Sequence, residues 1–221
     1  VYRYRQQILN GVNCRDLILT MIQQQIEYRL EQCLDARFGC DMFAAYASSE
    51  LRLSKPLEGR EFKGMEYETA LDHALDQAVR VLETDLLAAI DENLPDGDED
   101  AHLDWNWNAM VNVLKSRWKI DTNERELQKI GRENMAEVML ERGKAAINKT
   151  DLREGSAMLN PDYGRQVGVR WLKDKFGVIL DLDEVSRLDP AKIVTRSTDE
   201  ACRRYDQKEA TYPLIAAMTR F

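Results

Sequence analysis

Carboxylates alternate at Asp96, Asp98 and Asp100, within the acidic turn that runs from Pro95 to Asp104. Oxygen ligands at that spacing are what a hard cation such as calcium takes. The remainder of a calcium loop is missing, because Ala101 stands where a sharp-turning Gly is needed and Trp107 where a bidentate Glu is needed. No metal site is expected. The two histidines, His73 and His102, are separated by a helical stretch and a turn, which rules out a His pair or a Glu-x-x-His bundle site. His73 is expected on a plain surface. Gly143-Lys144 lacks the upstream Gly and the following Ser or Thr of a phosphate loop, and it falls in a helical pattern. Cys14, Cys33, Cys40 and Cys202 have no zinc-like spacing and read as reduced, structural thiols. With 39 Asp and Glu in the chain, close carboxylate pairs arise everywhere and identify no acid and base. Residue chemistry therefore predicts a non-catalytic helical module without a cofactor of its own.

Composition agrees with a globular chain: 221 residues, 44% hydrophobic and 32% charged. The net charge of -8, with acidic residues interleaved throughout, argues against a nucleic-acid footprint, which needs clustered Lys and Arg. No apolar run approaches the ~18 residues of a membrane span. The opening Val1-Tyr2-Arg3-Tyr4-Arg5 has no signal-peptide character and no initiator Met, as expected of a piece of a longer chain. The Asn148-Lys149-Thr150 sequon then reads as a chance match.

Helices must supply the framework, and an all-α class is predicted. From Asn13 to Leu34, Ile18, Ile22, Ile26, Leu30 and Leu34 recur at every fourth position, a stripe that acts as a core-facing spine. Asn13, or the Asn10-Gly11 pair, is the expected cap. Phe43 to Ala47 predicts a short helical piece, and Lys55 to Lys63 a loop whose charges stay in solvent. Tyr67 to Leu94 predicts a second long helix, with Leu71, Leu75, Ala78, Leu82, Leu86 and Ala89 on one side. Antiparallel packing of the two long stripes would satisfy both. Further helices are predicted over Asn106–Trp118, Glu124–Ile147 (as one or two), Pro161–Phe176, and Pro190 to about Lys208. Val178-Ile179-Leu180 is the one strand candidate and is too short to build a sheet.

The aromatic residues carry a pattern of their own. Leu114-Lys115-Ser116-Arg117-Trp118-Lys119-Ile120 is echoed by Leu172-Lys173-Asp174-Lys175-Phe176-Gly177-Val178, an offset of 172 − 114 = 58. Val111 and Val169, Leu127 and Val185, and Ile130 and Leu188 share that offset, after which the sequence register is lost. Either the chain holds an internal repeat, or two amphipathic helices that end in an aromatic residue look alike by chance. On the repeat reading Trp118 and Phe176 are equivalent, each stacked at i, i+4 on a Leu and each closing its helix. Gly177 supplies a permissive turn, while Lys119 in its place leaves room for a different one.

Two segments resemble parts of SecA, the ATP-driven motor family of bacterial preprotein translocation. Val1-Tyr2-Arg3-x-Arg5-x-x-Ile8-Leu9 followed by Arg15-Asp16-Leu17-Ile18-Leu19-x-Met21-Ile22 is similar to the start of that family's helical scaffold. Trp171 to Phe176 with Val178 and Leu180, then Tyr205-x-x-Lys208-Glu209, is similar to its helical wing. Some 120 residues stand between them beyond the family pattern. The resemblance implies a scaffold and wing piece of a motor whose nucleotide-binding domains, preprotein cross-linking domain and two-helix finger are not visible here. It implies interdomain coupling and clamp structure, with no catalytic residue of its own. ATP and magnesium would belong to the parent, as would preprotein and a SecY-type channel as partners, and a cytoplasmic location with peripheral attachment to the inner membrane. No nucleic acid and no transmembrane segment are expected.

On this reading residues 1–37 begin the scaffold, 38–103 form an inserted helical hairpin region, and 104–160 and 161–221 are two wing-like units. Tyr2, Tyr4, Ile8 and Leu9 are the candidate partner contacts, since the parent's remaining domains would pack against that first helix. Two other readings stand beside it: a helical protein-interaction adaptor unrelated to translocation, and an all-α hydrolase.

Overall fold

The computed structural model describes residues 14–96 and 105–218. Its helices are α1 Arg15–Cys33, α2 Phe38–Glu50, α3 Tyr67–Asn93, α4 Trp107–Trp118, α5 Glu124–Ile147, α6 Tyr163–Phe176, α7 Leu182–Ser186 and α8 Pro190–Met218, with 3-10 turns at Gly59–Phe62 and Arg153–Leu159. The class is all-α, and Val178 to Leu180 is irregular chain with no strand among the described residues. The chain divides into two units: Val1–Phe38 with Pro161–Phe221, and Gly39–Asn160. The second is inserted in the sequence of the first.

In the first unit α1 packs on α6 and α8. Ile26, Leu30, Leu172, Val178, Val185 and Ile193 form its core. α6 lies so close to α1 that a Cβ on Gly164 would overlap the carbonyl oxygen of Cys33, and one on Gly168 would reach within 3.0 Å of Leu30. Small residues therefore set the spacing of these helices. Ile18 and Ile22 are only half-buried, so the stripe is less covered toward its start. There Arg15 donates to Asp206 at 2.6 Å and to Glu209 at 3.1 Å, tying the first turn of α1 to α8. These groups are well exposed, so the ties orient more than they stabilise.

The inserted unit has two cores. In one, Phe43 and Ala47 of α2 meet Ala70, Ala74 and Ala78 of α3, and Phe62 from the 3-10 turn. In the other, Leu86, Ile90 and Leu94 meet Met110 and Leu114 of α4, then Leu127, Met135 and Met139 of α5.

Three expectations are corrected here. The helix around Phe43 is longer than the sequence suggested, covering Phe38–Glu50. From Lys55 to Lys63 the charged side chains stay largely in solvent, while Phe62 among them is wholly buried with its ring edge-on to Phe43 at 5.0 Å. His73 is accordingly half-buried: its ring lies 5.4 Å from that of Phe62 and its Nε2 3.4 Å from Glu61 Oε2. A single Phe among charges gives no periodicity to read, yet its buried area outweighs the charged flanks, which remain in water. The two long stripes also find partners within their own units, α1 on α6 and α8 and α3 on α4 and α5.

Candidate functional site

Each unit contains a hairpin corner packed on a long helix. In the inserted unit α4 ends at Trp118 and the chain turns through Lys119 at φ +56°. The amides of Lys119 and Ile120 donate to the carbonyls of Lys115 at 3.2 Å and Leu114 at 3.1 Å. In the other unit α6 ends at Phe176 and turns through Gly177 at φ +67°. The Gly177 and Val178 amides donate to Lys173 at 2.9 Å and Leu172 at 3.2 Å. In both, the left-handed residue donates to the carbonyl four residues back, as at an αL helix end, and the next amide reaches the carbonyl six residues back. The room left for a different turn at Lys119 is not used: Lys119 takes the left-handed conformation, at a steric cost of about 1 kcal/mol.

Leu114 and Leu172 are wholly buried, and so are Ile120 and Val178 apart from a few per cent. Trp118 and Phe176 are only half-buried, so the leucines, more than the aromatic rings, anchor the corners. The ring of Trp171 stands edge-on to Phe176 at 5.4 Å, and the Arg117 guanidinium lies 5.4 Å from the Trp118 ring centre.

The parallel continues past the corner. Asn123 caps α5 by accepting from the Glu126 amide at 3.1 Å, and Asp181, 58 residues on, accepts from the Glu184 amide at 3.4 Å and from Asp183 at 2.8 Å. Leu127 and Val185 are then buried. The helix breaks at Gly131, φ +75°, and correspondingly between α7 and Pro190, where α8 begins. Beyond the break Met135, Met139 and Gly143 are buried, as are Ile193, Ser197 and Ala201. The register that the sequence loses after Ile130 and Leu188 thus persists in burial. The long helices end alike too: the Leu34 amide donates to Leu30 at 2.8 Å and the Leu94 amide to Ile90 at 2.7 Å.

Charged groups brace these corners. Arg142 donates to Glu126 at 2.6 Å and the Thr122 hydroxyl does so at 2.9 Å; together, Arg142 foremost, they hold the Glu126 carboxyl below its usual range. Arg132 donates to the Leu94 carbonyl at 2.7 Å, closing an orphan acceptor at the end of α3. The Arg153 side chain, chiefly by hydrogen bonding, lowers Asp151 to about 2. Burial raises the Cys33, Cys40 and Cys202 thiols, which makes them poor nucleophiles.

Among the described residues no cluster of His, Cys, Asp or Glu is arranged for a metal ion, and no helix is long and apolar enough to cross a membrane. Part of the acidic turn lies outside the described residues, as do Tyr2, Tyr4, Ile8 and Leu9. On α1, Met21 is 50% and Tyr28 63% exposed. Sequence reasoning missed Arg52 and Lys119, the two non-glycine residues with positive φ among the described residues. Neither side chain announces such a backbone.

Fold and corners together define an all-α chain in which, within each unit, a long helix packs against a hairpin corner. The chain is a SecA-like segment. It is 34% identical over 222 residues to protein translocase subunit SecA 1 of Rhodopirellula baltica, a match that covers 100% of this chain and 18% of that protein. No protein-family model matches the chain. No solved structure matches it either.

Proposed function

We propose that this chain is the scaffold-and-wing portion of a SecA-type translocation motor, serving interdomain coupling and the structure of the preprotein clamp, with no catalytic site of its own. The observation that carries this reading is the whole-length similarity to a SecA 1 subunit, joined to a long helix, α1, that is locked on a wing-like hairpin. Within it, α1 continues the scaffold, residues 38–103 are an inserted hairpin region, and 104–160 and 161–221 are two wing-like units. The shared corner geometry and burial register support that division. The helical adaptor unrelated to translocation finds no support in the similarity.

ATP and magnesium, on this reading, act in the parent's nucleotide-binding domains, and preprotein and a SecY-type channel are partners of the parent. The parent is cytoplasmic and peripheral to the inner membrane. Tyr2, Tyr4, Ile8 and Leu9 are the proposed contacts to its neighbouring domains. Calorimetry of the 221-residue chain with magnesium and ATP tests the non-catalytic assignment: no heat of binding is expected, and a micromolar site would refute it.

A further inference from the structure

The two non-glycine residues at positive φ among the described residues, Arg52 at +53° and Lys119 at +56°, line one cavity of the inserted unit. Both follow the C-terminus of a helix, where left-handed backbone is common although a residue with a Cβ pays for it. The matching corner of the other unit has Gly177. Geometry alone therefore does not call for a lysine.

The cavity floor is apolar, formed by Leu51, Leu53, Val81, Leu82, Trp118 and Ile147. Its volume is about 50 Å³, and it is partly open to solvent. One water takes about 10–15 Å³ on the same measure, so the space suits a branched aliphatic group of about four carbons. The rim carries Arg52, Arg117 and Lys119 against Glu50 and Asp85. Arg117 is committed to Asp85 at 2.8 Å, and Asp85 also accepts from the Ser54 hydroxyl at 2.6 Å. Arg52 gives one N–H to the Ser116 carbonyl at 3.0 Å and keeps further donors. Lys119 makes no ion pair among the described residues. An apolar slot edged by two cations that lack a carboxylate partner fits an anion with a short greasy tail.

We propose that this cavity binds a small aliphatic carboxylate, its branched tail on the apolar floor and its carboxylate on Lys119 and Arg52. A free short-chain acid and the C-terminal residue of a peptide share that chemistry. 4-Methylpentanoate and N-acetyl-leucine separate the two sources, and 4-methylpentanamide keeps the shape without the charge.

The test is a titration of the 221-residue chain followed by the ¹H–¹⁵N signal of the Trp118 indole. A saturable shift with both acids is expected at roughly millimolar concentration, and the tighter of the two names the source. The amide, and the Lys119→Gly chain with either acid, should bind about tenfold more weakly or worse. Lys119→Gly installs the residue that the other unit uses at this corner, so its melting temperature should not fall. The proposal is overturned if neither acid saturates the Trp118 signal, if the amide binds as well as the acid, or if Lys119→Gly leaves affinity unchanged.

Discussion

Lys119 and Gly177, 58 residues apart, hold the same left-handed corner, and each passes its chain from a buried leucine to a buried β-branched residue. One sequence meets the steric demand with glycine and the other with lysine. Gly177→Ala should therefore destabilise the chain by about 1 kcal/mol, while Lys119→Gly should stabilise it by up to about that amount. Chemical denaturation of the two variants measures both signs. Equal effects in the same direction would mean that the corners are not alike.

Close helix contact predicts a local effect at Gly164, because its missing Cβ would occupy the place of the Cys33 carbonyl oxygen. Gly164→Ala must push α6 away from α1, at a cost of about 1–3 kcal/mol. Hydrogen exchange should accelerate in α1, α6 and α8 and stay unchanged in α3, α4 and α5. Uniform acceleration would contradict the division into units.

The Asp151 and Arg153 pair makes a pH-dependent prediction. Arg153 depresses Asp151 from the ordinary 3.8 to about 2. A depressed carboxyl stabilises the fold above its unfolded value, and that contribution disappears as pH falls from about 3.8 through about 2. The Asp151 side-chain carbon shift should titrate near 2, and in Arg153→Ala it should move back toward 3.8. An unchanged midpoint in the variant would assign the shift to another cause.

Most of the helical framework is legible in the sequence because its apolar residues repeat at helical spacing: Trp107–Trp118 and Glu124–Ile147 emerge directly from it. The corner leucines and aromatics are legible as well. The stretch beyond Ile130 is not, since Met139 and Gly143 correspond to Ser197 and Ala201, which differ in chemistry while sharing burial. Ser197 is tolerated there because its hydroxyl donates to the Ile193 carbonyl at 2.6 Å. The break at Gly131 is hidden inside a helical pattern, and the cavity at Arg52 and Lys119 depends on backbone angles that neither side chain encodes.

The corner aromatics test how much the rings add to the leucines. With Trp118 and Phe176 half-buried, truncation of either to Ala should cost about 2 kcal/mol, against about 2–5 for Leu114→Ala or Leu172→Ala. Thermal melts of the four variants should separate into those two groups. Aromatic variants that melt below the leucine ones would reverse the assigned roles.

The central claim is that this chain couples the parts of a SecA-type motor and contributes nothing to the chemical step. It is tested most directly by measuring basal and preprotein-stimulated ATP hydrolysis in the parent motor carrying Leu172→Ala, which opens the core where α6 meets α1. The account predicts undiminished basal hydrolysis with the stimulation by preprotein lost. Loss of basal hydrolysis, or full stimulation in a variant whose α1 and α6 are demonstrably loosened, would contradict it.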